Sequence, residues 1–331
     1  MKDVDKMTEP KTLQEAILYF GNQNNCLAYL ANKRWPDGVV ICPTCGGNQV
    51  HFLHSRGLWQ CVNKHTRRQF SIKVGTVMED SPIGLDKWLC AMWMLTNDKN
   101  GISSYEIHRG LGITQKSAWF LMHRIRLAMQ ENGTIFRKLT GHVEVDETFI
   151  GGKARNMHKA KRKAKIQGRG ATGKVVVMGL MERGGHVRAQ VIPERDKPTV
   201  QGVVREHVSE GSSVYTDELV AYLGLDDKYS HEIINHAEEY VRGLVHTNGM
   251  ENFWSLLKRG LHGTYVSVEP FHLFRYIDEQ SFRFNHRATP KHPMTDADRF
   301  RLVTSQIAGK RLTYKELTGK EMEKPRPEIP F

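Results

Sequence analysis

No apolar run in the 331 residues approaches the roughly 20 needed to span a bilayer. The amino terminus, MKDVDKMTEP, is polar and carries acids where a secretion signal would be basic and then apolar. A membrane-embedded or exported protein is therefore not expected, and a cytoplasmic one is. Cysteine is scarce, with only Cys26, Cys42, Cys45, Cys61 and Cys90. An odd count with no secretion signal argues against a disulfide framework and leaves metal or redox use for the close pair Cys42 and Cys45. Acids are also in short supply, at 36 Asp and Glu against 48 Lys and Arg, for a formal charge of +12 and a sequence pI of about 9.4. Such an excess points to a polyanionic partner, nucleic acid before an anionic membrane surface. The shortage is complete between Lys153 and Lys174, where nine Lys or Arg occur with no acid. A run of this kind is a solvated loop or a phosphate contact; following directly on a strand with a candidate catalytic Asp, it reads as a phosphate contact.

The length exceeds one ordinary core and allows two or three compact units. No internal repeat is present. Residues 1–39 read as an N-terminal helical segment, two short helices broken by the polar stretch GNQNN. Residues 40–80 change to short alternating segments and turn residues, as in a small β module. Residues 81–135 return to helical spacing with breaks at 97–104 and 110–114. From 140 to 290 the pattern is strand-rich and then helical. The β-prone runs are HVEVDETFI, KVVVMGLM, HVRAQVI, SVYTDE and HEIIN, with a helix near 198–209 between the third and fourth. Residues 291–331 read as a C-terminal tail with a loose, Pro-rich end, EKPRPEIPF.

Within the β module, Cys42-Pro-Thr-Cys45-Gly-Gly is followed 15 residues later by Cys61-Val-Asn-Lys-His65. Two pairs of soft ligands on tight turns suit a tetrahedral zinc ion, and a closed ligand set implies a structural role. A thioredoxin-like reading of the first pair would require a surrounding βαβ pattern, and there is none. Arg67, Arg68 and Lys73, with Trp59 and Phe70, would decorate a ribbon able to touch DNA. In the helical region, Ser103–Gly112 and Ile113–Arg126 read as two amphipathic helices around a Gly-containing turn, capped at the second by Thr114. Gln115, Lys116 and Trp119 then fall where a helix-turn-helix presents its groove-reading residues.

The strand-rich region carries charge where a plain core strand would carry Val or Ile. Asp146 sits in the middle of Val143–Ile150, and Asp217 lies at the carboxyl end of a second β-prone run, SVYTDE, that starts at Ser213. A half-buried carboxylate is costly unless it meets a cation, so two strand-borne Asp residues invite a metal. Glu251 follows 34 positions after Asp217, in NGMENFWSLLKRG, where helical spacing puts Asn248, Glu251 and Lys258 on one face. Phe253 and Trp254 read as core. A strand Asp, a strand Asp and a helix Glu in β-β-β-α-β-α order give an α/β, ribonuclease-H-like layout. In that layout the acids hold two Mg²⁺ (or Mn²⁺) ions for in-line phosphoryl transfer, and Lys258 is placed to hold a backbone phosphate.

VEVDETFIGGK, VYTDE, HTNGMENFWSLLKRG, HGTY and FRFNHR resemble the ISXO-like family of insertion-sequence transposases. So do the amino-terminal CPTCGG…C…RRQFSIKVGT and ISSYEIHRGLGITQKSAWFLMHRIRLAM segments, and the resemblance covers roughly 15–290. It implies a DDE transposase: a zinc ribbon and a helix-turn-helix-like region ahead of a ribonuclease-H-like catalytic domain. Such an enzyme cleaves double-stranded DNA at the element's terminal inverted repeats, joins the freed 3′-hydroxyls to target DNA, and does so as a homo-oligomer once two ends are synapsed. It also implies a basic residue after the third ligand, matched by Lys258, and a nucleoid-associated location. The third catalytic position in this family is an acid or an asparagine, so both Glu251 and Asn248 match, and Glu251 is favoured as the harder ligand. Cys61-x3-His65 departs from the C-x2-C spacing usual in the second half of such ribbons. Two other readings are a transposase-derived DNA-binding protein without catalysis and a ribonuclease-H-like nuclease that cuts without joining.

Overall fold

A computed structural model of the chain describes residues 9–130, 137–152, 173–233, 246–290 and 292–319. The chain divides into two compact units, Met1–Gln130 with Ala288–Phe331, and Glu131–Arg287. The basic segment singled out above lies, for residues 153–172, outside the described residues, as does the Pro-rich end. Among the described residues no helix is long and apolar enough to cross a membrane.

In the first unit, α1 (Leu13–Phe20) and α2 (Gln23–Arg34) are separated where GNQNN was expected to break them, and the Asn22 side chain caps the second. Strands β1 (Val50–Leu53), β2 (Leu58–Cys61) and β3 (Gln69–Phe70) form an antiparallel meander. Helix α3 (Leu85–Asn97) buries residues on nearly every side, Trp88, Leu89, Met92, Trp93 and Leu95 among them, as only a central helix can. Helices α4 (Ser104–Leu111) and α5 (Gln115–Met129) follow. A Ser103/Glu106 capping box starts α4, Gly112 ends it at φ 59, a left-handed turn that glycine adopts without strain, and Thr114 caps α5.

Residues 291–331 are not simply a tail. A Thr295/Asp298 capping box starts a helix at Asp296–Ser305, and a short helix follows at Tyr314–Leu317. Phe300 packs on Tyr29 at 5.5 Å and Trp93 at 4.9 Å. Lys310 Nζ donates to the carbonyls of Ala128 and Gln130, neutralising orphan acceptors at the end of α5. The Pro-rich end dominates the composition there and hides one short helix whose polar partners Glu9, Tyr29 and Asn97 are 199 to 292 residues away in sequence.

The second unit holds a five-stranded sheet of β4 (His142–Ile150), β5 (Val175–Glu182), β6 (Val187–Ile192), β7 (Ser213–Thr216) and β8 (Ser230–Ile233), in the order β6-β5-β4-β7-β8. The first three are antiparallel, whereas β7 and β8 run parallel to β4. The helix expected near 198–209 spans Lys197–His207, with Asp196 as its cap, and packs Val200, Val203 and Val204 with Val143, Val145, Met178 and Leu180 on one face of the sheet. Two helices, Asn248–Arg259 and Leu273–Asn285, supply Met250, Phe253, Trp254, Leu257, Tyr276 and Ile277, which pack with Val177, Met181 and Val187 on the other. Alternation along β4 and β5 therefore sends successive side chains to two different cores.

Candidate active site and metal centre

Alternation on β4 decides where each acid goes. Glu144 and Asp146 face the Asn248–Arg259 helix, whereas Glu147 faces the opposite core. The Asp146 carboxylate is fixed from two sides: its Oδ1 accepts the Glu147 amide at 2.8 Å and its Oδ2 accepts the indole N–H of Trp254 at 2.9 Å. Burial raises its pKa to about 6, with the charges of Asp217 and Glu251 adding to the rise and the Trp254 hydrogen bond opposing it. The three acids therefore share one electrostatic neighbourhood. Asp217 follows the last residue of β7, where Oδ1 accepts the Leu219 amide at 3.0 Å in an Asx turn. Glu251 lies in the first helical turn, exposed, where the helix dipole favours an anion. Asn248 opens the same helix and is exposed, and Lys258 is half-buried in its last turn.

Two buried acids that sequence reasoning passed over frame this group. Glu144, 2 % exposed, pairs with Arg183 at 2.8 Å and accepts the Met250 amide at 3.0 Å, while Arg183 donates to the His246 carbonyl at 2.6 Å. That carboxylate docks the start of the helix bearing Glu251 onto the strand bearing Asp146. Glu147 is also 2 % exposed; it accepts from the Tyr222 hydroxyl and lies 3.5 Å from Arg195. Burial first, and then the charge of Asp217, raise its pKa to about 7 despite the Tyr222 hydrogen bond.

For both Asp146 and Glu147 the folded pKa stands above the unfolded one. Their contribution to stability is therefore complete below about pH 4 and is lost as pH rises through about 6 and about 7. Protein without added divalent cation should lose melting temperature between about pH 4 and about pH 7. About 1.4 kcal/mol per pH decade makes about 3 kcal/mol for each group. Thermal denaturation of the wild type beside the Asp146→Asn, Glu147→Gln double variant checks this: the wild type should fall more steeply, and parallel curves would remove the electrostatic account.

The ribbon ligands converge. The ligand atoms of Cys42, Cys45, Cys61 and His65 all lie within 4.8 Å of one another, with Cys42 Sγ to His65 Nε2 at 3.5 Å and Cys45 Sγ to Cys61 Sγ at 3.6 Å. Sulfur at about 2.3 Å and nitrogen at about 2.0 Å from a tetrahedral zinc stand about 3.5–3.8 Å apart, so the spacing and donor set fit that ion. The Gly47 amide and then Asn63, whose Nδ2 lies 3.5 Å from Cys45 Sγ, draw the Cys45 thiol down to about 7, toward the ligating thiolate. The His at the longer spacing is thus brought into the quartet. Among the described residues no other group of three or more such ligands closes to 4.8 Å.

The helical hairpin is present, but the residues expected to read a groove have partners within their own unit. Gln115 donates to Ser104 at 2.9 Å, Trp119 packs on His123 at 4.6 Å, and the Lys116 ammonium lies 4.7 Å from the centre of the Tyr314 ring.

Comparison with known proteins agrees with this division of the chain. Residues 138–285 match the ISXO2-like transposase domain and residues 21–63 the transposase zinc-ribbon domain. The chain is 30% identical over 257 residues to an uncharacterized protein in transposable element ISH50 of Halobacterium salinarum, covering 74% of this chain and 85% of the relative. It is 34% identical over 96 residues to an uncharacterized transposase-like protein of Haemophilus influenzae, covering 29% of this chain and 77% of that one. These matches make the chain a transposase by class. Within that class, the chain belongs to the ISXO2-like transposase family and carries that family's zinc ribbon.

Proposed function

We propose that the protein is a metal-dependent DDE transposase that cleaves double-stranded DNA at the terminal inverted repeats of an insertion sequence and joins the 3′ ends to target DNA. The observation that carries this reading is the shared electrostatic neighbourhood of Asp146 on a strand, Asp217 just past the end of the parallel strand beside it, and Glu251 on a helix. Strand order β6-β5-β4-β7-β8, with three antiparallel strands first and a helix before β7, supports a ribonuclease-H-like catalytic fold. Three hard oxygen donors, two of which raise the proton affinity of the third, Asp146, are a donor set suited to Mg²⁺ or Mn²⁺.

In this reading Asp146 and Asp217 hold the ions and Glu251, in preference to Asn248, completes one coordination sphere. Bound there, the ions supply activation of the attacking oxygen and charge stabilisation of the leaving one. Lys258, two turns along the same face as Glu251, holds a phosphate near the scissile bond. In cleavage a water oxygen bonds to phosphorus as the bond to the 3′ oxygen breaks, which frees the 3′-hydroxyl. In joining, that hydroxyl bonds to a target phosphorus as the target's own 3′ oxygen departs, so the number of phosphodiester bonds is conserved. The net charge of +12, the ribbon and the helical hairpin support DNA as the partner, and end synapsis implies a homo-oligomer. Labelled terminal-repeat duplex incubated with a target plasmid and Mg²⁺ tests the function: joined products are expected, whereas nicking with no joining would indicate a nuclease and binding alone a DNA-binding relic.

A further inference from the structure

We infer that Trp254 is a positioning residue for the Asp146 carboxylate, seated on the bare backbone of Gly179 and tying the metal-binding strand to the helix that carries Glu251. The inference rests on the metal-binding reading above and names residues that reading does not use.

Three observations converge on it. Trp254 is buried at 4 % exposure among Met250, Phe253 and Leu257, where a tryptophan ordinarily serves packing alone, yet its one polar atom points at Asp146 Oδ2 at 2.9 Å. Gly179 is the cross-strand partner of Asp146, and a Cβ at Gly179 would meet the flexible Met250 methyl first and then two carbons of the rigid Trp254 ring at 2.7 and 2.8 Å. Only glycine leaves room for the indole at that point of the sheet. Trp254 lies three residues after Glu251 on one helix, so the two side chains leave neighbouring points of one face.

The consequence is geometric. A carboxylate oxygen has two lone pairs. With Oδ1 taking the Glu147 amide and Oδ2 the indole N–H, each Asp146 oxygen keeps one lone pair, and its rotamer is set by rigid neighbours. An indole N–H cannot ligate a cation, and a fixed donor behind a ligand is the arrangement by which proteins orient metal-binding groups. The same bond fixes how far the Glu251 helix stands from β4.

The test is Mn²⁺ binding to the full-length protein, followed by electron paramagnetic resonance, for wild type, Trp254→Phe and Gly179→Ala. Loss of such an orienting donor weakens metal affinity about 10–100-fold. Both variants are expected to show that loss, with terminal-repeat binding and the zinc content unchanged. Replacement of Trp254 by benzothienylalanine, which keeps the fused rings and lacks the N–H, should weaken Mn²⁺ as Phe does. 5-Fluorotryptophan, which keeps the N–H, should restore wild-type affinity. If the Phe or Ala variant fails to fold, the two isosteres decide. Equal Mn²⁺ affinity in wild type and the benzothienyl protein would overturn the positioning role while leaving the metal site standing. A wild type with no Mn²⁺ site that Asp146→Asn abolishes would overturn both.

Discussion

Asp146→Asn and Asp217→Asn are each expected to lower cleavage and joining at the terminal repeats by about a thousandfold or more, while repeat binding should stay within a factor of a few. Ions at such a site supply several kcal/mol of charge stabilisation to the transition state, and about 4 kcal/mol corresponds to about a thousandfold in rate. The asparagines keep the shape of the acids and can still accept from Trp254 or Leu219, so the local fold is retained and the lost quantity is charge. Glu251→Gln belongs with them. Asn248→Ala, at the first position of the same helix, should cost far less, since a neutral amide contributes little to holding a divalent cation. A reversed order at these two positions would make Asn248 the third ligand. Gel assays that count cleaved and joined ends separately, beside filter binding of the repeat, distinguish these outcomes.

The second large effect concerns the ribbon. Structural zinc contributes roughly 10–16 kcal/mol of apparent binding energy to small domains of this kind, against total stabilities of about 5–15 kcal/mol for ordinary folded domains. The β1–β3 meander has little core of its own beyond Trp59, Phe70 and the ligands themselves. Chelation of zinc, or Cys45→Ser, should therefore abolish amide protection across 50–70 while the strands at 142–150 and 175–182 keep theirs. His65→Ala should weaken zinc binding without abolishing it, since three thiolates remain. Hydrogen exchange read by mass spectrometry, with zinc quantified in the same samples, checks both. Full protection of the meander in the zinc-free protein would show that the ribbon folds without its metal.

Much of this arrangement was legible in the sequence because the signals are local. The charge at the centre of β4, the Asp after β7, the helical spacing from Asn248 to Lys258 and the paired Cys turns each announce themselves within a dozen residues. The cap at Thr114 and the Gly-containing turn before it likewise placed the helical hairpin, whereas the Ser103/Glu106 capping box appears only in the structure. What escaped reading is non-local. Trp254, next to Phe253 on an apolar face, looks like core packing, and its bond to Asp146 depends on a strand 108 residues earlier and on the pairing of Asp146 with Gly179. Glu144 and Glu147 flank Asp146 in plain view, but only the alternation of faces, together with Arg183 and Tyr222 from distant elements, separates the helix-docking acid from the one in the opposite core. The helix at Asp296–Ser305 was hidden for the same reason: its partners Tyr29 and Trp93 lie at the other end of the chain.

The central claim is that divalent cations sit among Asp146, Asp217 and Glu251. Substituting Fe²⁺ for Mg²⁺ and adding ascorbate and peroxide generates hydroxyl radicals at the ion, which cut the polypeptide beside it. The fragments predicted are cuts near residues 146, 217 and 248–251, all suppressed by excess Mg²⁺ and lost together in Asp146→Asn. Cuts confined to other parts of the chain, or unchanged by Mg²⁺ and by the substitution, would contradict the account.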